Sequence, residues 1–276
     1  MSKILVFGDI HGDTKSLESL LNFAGEDEDI SHLLFTGDFF GLDKKQDKVP
    51  VFEERERQYK VIQRLFKKHL KGKILLTIAG NYDSPISHHF QPHDLHHKLT
   101  YIQGRTIYGH QGSHAIPSDI QARLEKEGRT FDWRDFAFQD KEEEFKLLCE
   151  VNPDMILSHS PLRKYVNHFL TEKPSPNQKK ELLYFGGHTH VYQYFRIAIP
   201  NLDKAVFIIR PGALKSTTNK DSGQPLPQTF MILDPANPHS LLLYTLKNKR
   251  FSEVTIEPEQ ETLQEYNASE GKWRMQ

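Results

Sequence analysis

The sequence predicts a mixed α/β fold that begins with parallel strands and ends with antiparallel ones. Three short apolar runs, at 3–9, 31–38 and 73–81, alternate with two segments of helical periodicity. Strands and helices that alternate in this way form a parallel sheet through right-handed crossovers. After residue 190, apolar runs follow one another across Pro, Gly and Asn turns, which predicts antiparallel pairing. With 276 residues, 37% hydrophobic and 26% charged, the chain suits one large globular domain or two modest ones.

The strands and helices of the first half have clear limits. The run 3–9 (KILVFGD) is apolar without interruption, as in a parallel strand that is buried on both faces. The first helical segment has Asp13 as a candidate N-cap, and the second stops at Gly72. Their apolar faces consist of Leu17, Leu20, Leu21 and Ala24, and of Tyr59, Ile62, Leu65, Phe66 and Leu70. The charge runs 43–48 (DKKQDK) and 53–57 (EERER) are interpreted as solvated faces.

The second half begins with a hairpin and ends in antiparallel strands. Residues 99–110 predict two strands that turn at Gln103-Gly104, and residues 117–150 are charged and helical in pattern. Two further apolar runs end in polar residues, at 153–160 and 182–190. Five more predicted strands are QYFRIAIP, KAVFIIRPG, QTFMILD, SLLLYTLK and SEVTIE. The last ~20 residues lack apolar periodicity and are predicted to form a peripheral tail.

The composition excludes several classes of protein. A formal net charge of -1 gives the chain no overall field that attracts a nucleic-acid polymer or an anionic membrane. The only cysteine, Cys149, excludes an internal disulfide and a thiolate metal cage, and it is interpreted as a small buried hydrophobe. No apolar run reaches the ~18 residues of a membrane helix, and the first run is too short for a signal peptide. These features predict a cytoplasmic protein.

Polar side chains that can bind a metal follow five of the predicted strands. They are Asp9 and His11 in GDIHG, Asp38 in TGD, Asn81 in GNYD, His159 in SHS, and His188 and His190 in GHTH. Ligand sites of α/β sheets lie outside the carboxyl ends of the strands, so these side chains are expected to meet. Two carboxylates, four imidazoles and one amide suit Mn²⁺, Fe or Zn. Seven ligands are too many for one tetrahedral ion, but they suit two ions that share a bridging carboxylate.

The charge of this predicted site favours a phosphate substrate. Two divalent cations, two aspartates and one hydroxide leave a local charge of about +1, and the neutral Asn81 preserves it. Two metals about 3.5–4 Å apart can generate a hydroxide and stabilise the oxygens of an in-line displacement. The sequence therefore predicts phosphoester hydrolysis. Each motif alone is also compatible with an ordinary turn, and only the whole series, each member after an apolar strand, favours the metal site.

The motif series resembles that of the calcineurin-like metallophosphoesterases. GDIHG, TGD, GNYD, LSHSP and GGHTH stand where the family has Asp-x-His, Gly-Asp, Gly-Asn-His-Asp/Glu, a lone His and Gly-His-x-His. The resemblance runs from residue 3 to about residue 214, and the hairpin after the third motif is most similar to the small single-chain prokaryotic branch. It implies a four-layer αββα sandwich of two mixed β-sheets flanked by helices. It also implies a catalytic domain over residues 1–250, with a C-terminal strand and tail over 251–276.

The resemblance also implies which ligand holds which metal. Asp9, His11 and His190 would hold one ion. Asn81, His159 and His188 would hold the other, and Asp38 would bridge the two. The expected cofactors are therefore two divalent metal ions, with Mn²⁺ preferred and Fe or Zn as alternatives.

One position departs from the family pattern. Tyr82 stands where the family has its catalytic histidine, and a phenol with a reference pKa near 10 donates a hydrogen bond but is a poor acid. The alternative for Tyr82 is a ring packed on the loop with its hydroxyl in water. The candidate catalytic residues are Asn81, Tyr82, Asp83 and His110, with His114 as a second substitute imidazole. The histidines of SHHFQPHDLHH form either a rim over the site or a solvated loop.

The sequence thus predicts a dinuclear metal-dependent phosphoesterase in which a metal-bridging hydroxide attacks phosphorus. A small phosphorylated molecule is the expected substrate, with no membrane and no nucleic-acid polymer as partner. The sequence does not decide between monoesters and diesters, and it leaves the oligomeric state open. Two alternatives are a binding scaffold that has kept the fold but lost the chemistry, and a metal-dependent hydrolase of neutral amides or esters.

Overall fold

A computed structural model of the chain shows two mixed β-sheets that pack face to face. The part of the chain that it describes comprises residues 2–42, 49–70, 72–83, 94–110, 117–128, 141–160, 162–172, 179–199, 203–218, 223–247, 250–262, 265–267 and 272–274. The predicted charge run at 43–48 lies outside these residues.

The first sheet has six strands in the order β14-β13-β12-β1-β2-β3. Its parallel half consists of β1 (Lys3–Phe7), β2 (Ile30–Phe35) and β3 (Ile74–Thr77). Its antiparallel half consists of β12 (Gln228–Asp234), β13 (Asn237–Lys247) and β14 (Arg250–Ile256). The predicted parallel β-α-β-α-β start and the antiparallel later strands are both confirmed, and they share one sheet because β12 pairs with β1.

The second sheet has seven strands in the order β15-β8-β9-β7-β6-β5-β4. They are β4 (Leu99–Ile102), β5 (Arg105–His110), β6 (Met155–Ser158), β7 (Glu181–Gly186), β8 (Tyr192–Ile199), β9 (Lys204–Pro211) and β15 (Glu259–Thr262). The predicted hairpin is present: β4 and β5 pair antiparallel across Gln103 and Gly104, which have φ values of 52° and 78°. Positive φ at both central residues is the geometry of a tight hairpin turn.

Helices cover both outer faces, which gives the predicted four-layer αββα arrangement. The helices are α1 (Thr14–Glu26), α2 (Val51–His69), α3 (Ser118–Lys126), α4 (Lys141–Val151) and α5 (Arg163–Thr171). Helices α1 and α2 pack on the first sheet, whereas α4 and α5 pack on the second. Cys149 is half-buried in the apolar cluster under α4 and α5. None of the described helices has the length and apolar character to cross a bilayer.

Alternation along the strands builds the layer between the two sheets. Ile4, Val6 and Leu34 of the first sheet pack against Met155 and Leu157 of the second, and each has 0% of its surface exposed. The intervening residues of β1 and β2 face α1 and α2 instead. Because successive side chains of a strand point to opposite faces, strands buried on both sides are apolar throughout. This explains the uninterrupted apolar runs in the sequence.

Short strands complete the fold. Thr217–Thr218 (β10) pairs with Pro225–Leu226 (β11), and Glu265–Asn267 (β16) pairs with Lys272–Arg274 (β17). The edge strand β15 lies in the segment predicted as a peripheral tail, and it pairs parallel with β8. This strand was not predicted, because pairing through the main chain needs no apolar alternation. The predicted boundary at residue 250 stays a prediction.

The predicted N-cap of α1 is confirmed, and it gives a test of local stability. The Asp13 carboxylate accepts hydrogen bonds from the Ser16 backbone N–H at 3.1 Å and from the Ser16 hydroxyl at 2.9 Å. Replacing Asp13 by alanine is expected to lower the free energy of unfolding by about 0.5–2 kcal/mol, because helix N–H groups lose their acceptor. Urea denaturation measures this loss. Ser19→Ala, which removes a hydroxyl from the middle of α1 and leaves the cap intact, is the control, and an equal effect of both variants contradicts the capping role.

Candidate metal centre

The carboxyl ends of five strands converge on one edge of the sandwich. Asp9 and His11 follow β1, Asp38 follows β2, and Asn81 follows β3 in the first sheet. In the second sheet His159 follows β6, and His188 and His190 follow β7. Both sheets present their carboxyl ends at this edge, so the structure brings all seven predicted ligands together.

Five of these residues have a left-handed backbone, which few residues other than glycine adopt. The φ values are 50° at Asp9, 45° at His11, 64° at Asp38, 73° at His188 and 58° at His190. Backbone hydrogen bonds hold these loops: the Asp9 N–H donates to the Gly37 carbonyl at 2.9 Å, and the His11 N–H to the Asp38 carbonyl at 3.0 Å. Strained backbone that is fixed by its surroundings is typical of functional loops.

Glycines allow these loops to approach one another closely. A Cβ atom at Gly80 would lie 2.1 Å from Asp38 Oδ1. At Gly37, which has a φ of 102°, a Cβ atom would lie 2.6 Å from His159 Nδ1. The Gly-Asp and Gly-Asn pairs of the sequence therefore have a steric origin, since a side chain at either glycine would push a predicted ligand out of place.

Four of the seven residues form a compact group. One ligand atom from each of Asp9, His11, Asp38 and His190 lies within 4.8 Å of all the others. His11 Nε2 lies 3.0 Å from His190 Nε2 and 3.7 Å from Asp38 Oδ2, and His190 Nε2 lies 3.3 Å from Asp9 Oδ1. Two ring nitrogens and two carboxylates that point at one another in this way form a candidate metal-binding cluster.

The other three residues form a second group around Asn81. Asn81 Oδ1 lies 2.8 Å from His159 Nε2 and 3.2 Å from His188 Nδ1. Asp38 links this group to the first, because its Oδ2 lies 3.4 Å from His159 Nε2 as well as 3.7 Å from His11 Nε2. Asp38 therefore lies between the two groups, where the family resemblance implies a bridging carboxylate.

The chemistry of the first group fits a divalent cation. Asp9 Oδ1 is buried and points at the imidazoles of His11 and His190, but none of the described residues donates a hydrogen bond to it. A buried carboxylate oxygen without a donor is unfavourable unless a cation binds it. The mixed oxygen and nitrogen donors are those that transition-metal ions of intermediate hardness prefer.

Hydrogen bonds orient His159 for ligation. His159 Nδ1 lies 2.8 Å from the Thr36 carbonyl oxygen and must donate to it, which directs Nε2 at Asp38 and Asn81.

Burial lowers the pKa of His159, but the carboxylates of Asp38 and Asp9 outweigh that effect and raise the pKa above its usual value. Burial raises the pKa of Asp38, yet His159, His11 and the Tyr82 N–H outweigh this and hold it below its usual range. Asp38 is therefore ionised at neutral pH.

Asp83 holds the loops that carry two of the predicted ligands. Its buried carboxylate accepts backbone N–H groups of Asp38 at 2.7 Å, Gly80 at 2.9 Å and Phe40 at 3.1 Å. Burial and the charge of Asp38 raise the pKa of Asp83. These contacts give Asp83 a positioning role, and its predicted catalytic role stays a prediction.

The interpretation of the 53–57 charge run as a solvated face was wrong for two residues. Glu54 and Arg55 are 0% and 1% exposed. Arg55 donates to the Tyr82 carbonyl, and Glu54 Oε2 accepts from Arg123 Nη1 of α3 at 3.1 Å. These buried charges connect α2 and α3 with the Asn81 loop. The spacing of Glu54 and Arg55 along α2 could have predicted their burial, because positions 54 and 55 continue the inward helical face that includes Ile62.

Tyr82 packs against one member of the first group. Its ring meets the His11 ring edge-on, with centroids 4.7 Å apart and an interplanar angle of 87°. The hydroxyl donates to Asp119 of α3, with oxygen–oxygen distances of 3.3 and 3.4 Å, so it has a protein partner that the sequence did not predict. Burial and the Asp119 carboxylate raise the pKa of Tyr82 to about 12, which makes this phenol an even poorer acid than the sequence indicates.

The other histidine candidates are only partly described. His110 is 2% exposed at the end of β5, with its ring centroid 6.4 Å from that of His96. Its catalytic role stays a prediction. His114, His88, His89 and His93 lie outside the described residues.

A cleft of about 630 Å³ opens beside the two groups of ligands. Its described lining comprises Asp38, Asn81, Tyr82, Pro117, Ser118, Asp119, His188, Thr189, His190, Val191, Thr218 and Leu226. The cleft therefore gives a small molecule direct access to predicted ligands of both groups, and the start of α3 forms one wall.

A sequence profile of the calcineurin-like phosphoesterases matches residues 2–192, which is more than half of the chain. The chain belongs to the calcineurin-like phosphoesterase family. Members of this family bind divalent metals, and the cluster of Asp9, His11, Asp38 and His190 supports a metal-dependent phosphoesterase in general terms. No curated protein sequence matches this calcineurin-like phosphoesterase.

The chain of this calcineurin-like phosphoesterase is also similar to solved structures at low sequence identity. A mutant of Vps29 from Entamoeba histolytica is 15% identical, with 92% of this chain and 98% of that chain covered and a TM-score of 0.43. The protein TT1561 of Thermus thermophilus is 14% identical, with the same coverage of 92% and 98% and a TM-score of 0.43. A predicted phosphoesterase from Streptococcus pneumoniae is 13% identical, also with 92% and 98% coverage, and has a TM-score of 0.37.

Proposed function

We propose that this protein is a dinuclear metal-dependent phosphoesterase that cleaves small phosphorylated molecules in the cytoplasm. The observation that carries the proposal is the position of Asp38, whose Oδ2 lies 3.7 Å from His11 Nε2 and 3.4 Å from His159 Nε2. One carboxylate oxygen between two sets of ligands is what two neighbouring cations require. Two divalent ions, preferably Mn²⁺ with Fe or Zn as alternatives, supply an activated water and neutralise phosphoryl oxygens.

Each set of ligands combines residues that follow strands of both sheets. In the proposal Asp9, His11 and His190 hold one ion, and Asn81, His159 and His188 hold the other. The amide of Asn81 contributes no negative charge, so the centre keeps a net positive charge that favours phosphate over neutral esters or amides. The left-handed loops and Asp83 keep these ligands in place before substrate binds, which is the form of preorganisation that stabilises a charged transition state.

The main alternative is a binding scaffold that has kept the fold but lost the chemistry. The observation that favours it is Tyr82, which occupies the position of the family's catalytic imidazole and donates its hydrogen bond to Asp119. All seven predicted ligands are present, however, and a scaffold has no need for an intact bridging carboxylate. We therefore prefer the enzyme.

Reconstitution with metal tests the proposal. Protein stripped with a chelator should be inactive towards p-nitrophenyl phosphate and bis-p-nitrophenyl phosphate. Reloading with Mn²⁺ should restore hydrolysis of at least one ester, and calorimetry should count two ions per chain. If two ions bind and neither ester is hydrolysed, but Tyr82→His gains activity, the scaffold is the correct description.

Weak protonation of the leaving group is a further expected result. A general acid contributes roughly 10²–10⁴-fold to the rate, and Tyr82, with a pKa of about 12, is poorly suited to that task. Nitrophenyl esters, whose leaving group needs no proton, should therefore be cleaved at least about 100-fold faster than matched alkyl esters. Steady-state kcat/KM values measure this ratio. Tyr82→His should narrow the ratio, and equal rates for the two esters in the wild type contradict the prediction.

A further inference from the structure

Asp119 places a fixed negative charge at the wall of the cleft. It lies in the first turn of α3, and its carboxylate accepts hydrogen bonds from the Tyr82 hydroxyl and, at 3.0 Å, from the Ile120 N–H. Tyr82 in turn packs edge-on against His11. The carboxylate is therefore one side chain away from a predicted metal ligand.

Helix α3 is itself held in position by contacts with α2. Arg123 Nη1 donates to Glu54 Oε2 at 3.1 Å, and the Val51 N–H donates to Glu127 Oε1 at 2.9 Å. Ile120 and Leu124 pack with Val51 in an apolar cluster between α3 and α2. These contacts fix the backbone of Asp119 at the wall of the cleft, and the hydrogen bonds from the Tyr82 hydroxyl and the Ile120 N–H orient its carboxylate.

The described part of the lining contains no side chain that offsets this charge. Apart from Asp38 and the imidazoles of His188 and His190, Asp119 is the only acidic or basic side chain in that part of the lining. Pro117, Val191 and Leu226 add apolar surface, and the remaining lining groups are hydroxyls and an amide.

We infer that Asp119 makes the cleft select singly charged phosphodiesters over doubly charged phosphomonoesters. This inference rests on the proposed function. A diester carries one negative charge and a monoester above neutral pH carries two, so the fixed carboxylate repels the monoester twice as strongly. The apolar lining suits the second ester group of a diester. For charges several ångströms apart near a protein surface, this difference amounts to about fivefold in affinity at low ionic strength.

The test removes the charge and keeps the shape. Asp119→Asn leaves an oxygen that can accept the hydrogen bonds of Tyr82 and Ile120, and Asp119→Ser is a second uncharged variant that suits a helix start. Binding of inorganic phosphate and of dimethyl phosphate to the Mn²⁺-loaded protein is measured by calorimetry at pH 8 and low salt. In both variants, the affinity for phosphate should increase over the wild-type value about fivefold more than the affinity for dimethyl phosphate does. Added salt should reduce this difference.

A matched control and a kinetic readout separate the possible outcomes. Glu125→Gln removes the same charge from an exposed position on the same helix, and it should leave the ratio of the two affinities unchanged. The kcat/KM ratio of bis-p-nitrophenyl phosphate to p-nitrophenyl phosphate should fall about fivefold in Asp119→Asn. An unchanged affinity ratio in both Asp119 variants overturns the inference, whether or not esters are hydrolysed. If the affinity ratio shifts but neither ester is hydrolysed, the proposed function is overturned and the inference about Asp119 stands.

Discussion

Replacing Asp83 by alanine is expected to lower the free energy of unfolding by about 3–5 kcal/mol, the largest stability effect predicted for this protein. Three buried N–H groups, from Asp38, Phe40 and Gly80, lose their acceptor at once. Each unsatisfied buried donor costs about 1–3 kcal/mol, and partial relaxation of the loops reduces the sum. The buried Arg55 also loses a neighbouring negative charge, which adds to the loss because a buried charge depends on its partners.

Urea denaturation of the metal-free protein measures this effect without a contribution from bound ions. Asp83→Asn should be less harmful than Asp83→Ala, because the amide oxygen still accepts part of the hydrogen bonds. Asp29→Ala is the control for loss of a carboxylate: Asp29 is exposed and pairs with Lys3 at 3.1 Å, and such pairs contribute little to stability. If Asp83→Ala is no more destabilising than Asp29→Ala, the three N–H bonds do not hold the loops as described.

The parts of this structure that follow from local physics were predictable from the sequence. Apolar runs that end in Gly-Asp or Gly-Asn identified the strand ends at Asp9, Asp38 and Asn81, because buried parallel strands are apolar throughout and glycine permits the close approach that follows them. The turn at Gln103-Gly104 and the N-cap at Asp13 were predictable for the same reason, since both depend on neighbouring residues only.

The parts that depend on distant contacts were not predictable. Charge patterning placed Glu54 and Arg55 in solvent, because a sequence does not show that α3 and the Asn81 loop will cover them. The contact between Tyr82 and Asp119 joins residues 37 positions apart on separate elements. Strand β15 formed without an apolar pattern, since an edge strand gains its hydrogen bonds from the main chain of β8. Each case involves a polar or main-chain interaction between elements that are distant in the sequence, which periodicity does not report.

Replacing His190 by alanine is expected to reduce Mn²⁺-dependent hydrolysis by at least about 100-fold, the largest effect on activity. Mutation of outer partners of metal ligands already costs about 10–100-fold in affinity or activity, and a direct ligand should cost more. His190 Nε2 lies 3.0 Å from His11 Nε2 and 3.3 Å from Asp9 Oδ1, so its loss opens one side of the four-residue cluster. Because the His190 side chain is 32% exposed, its removal leaves no buried cavity and the fold should persist.

Metal binding shows whether this loss arises in the way proposed. Calorimetry with Mn²⁺ should find one weakened site in His190→Ala and one site that is nearly unaffected, because Asn81, His159 and His188 remain in place. His239→Ala removes an exposed imidazole far along the chain and should change neither metal binding nor activity. Loss of both ions in His190→Ala would show that the two sites bind as a unit through Asp38. Unchanged metal affinity with full activity would exclude His190 as a ligand, and would leave the cluster around Asp9 without its proposed role.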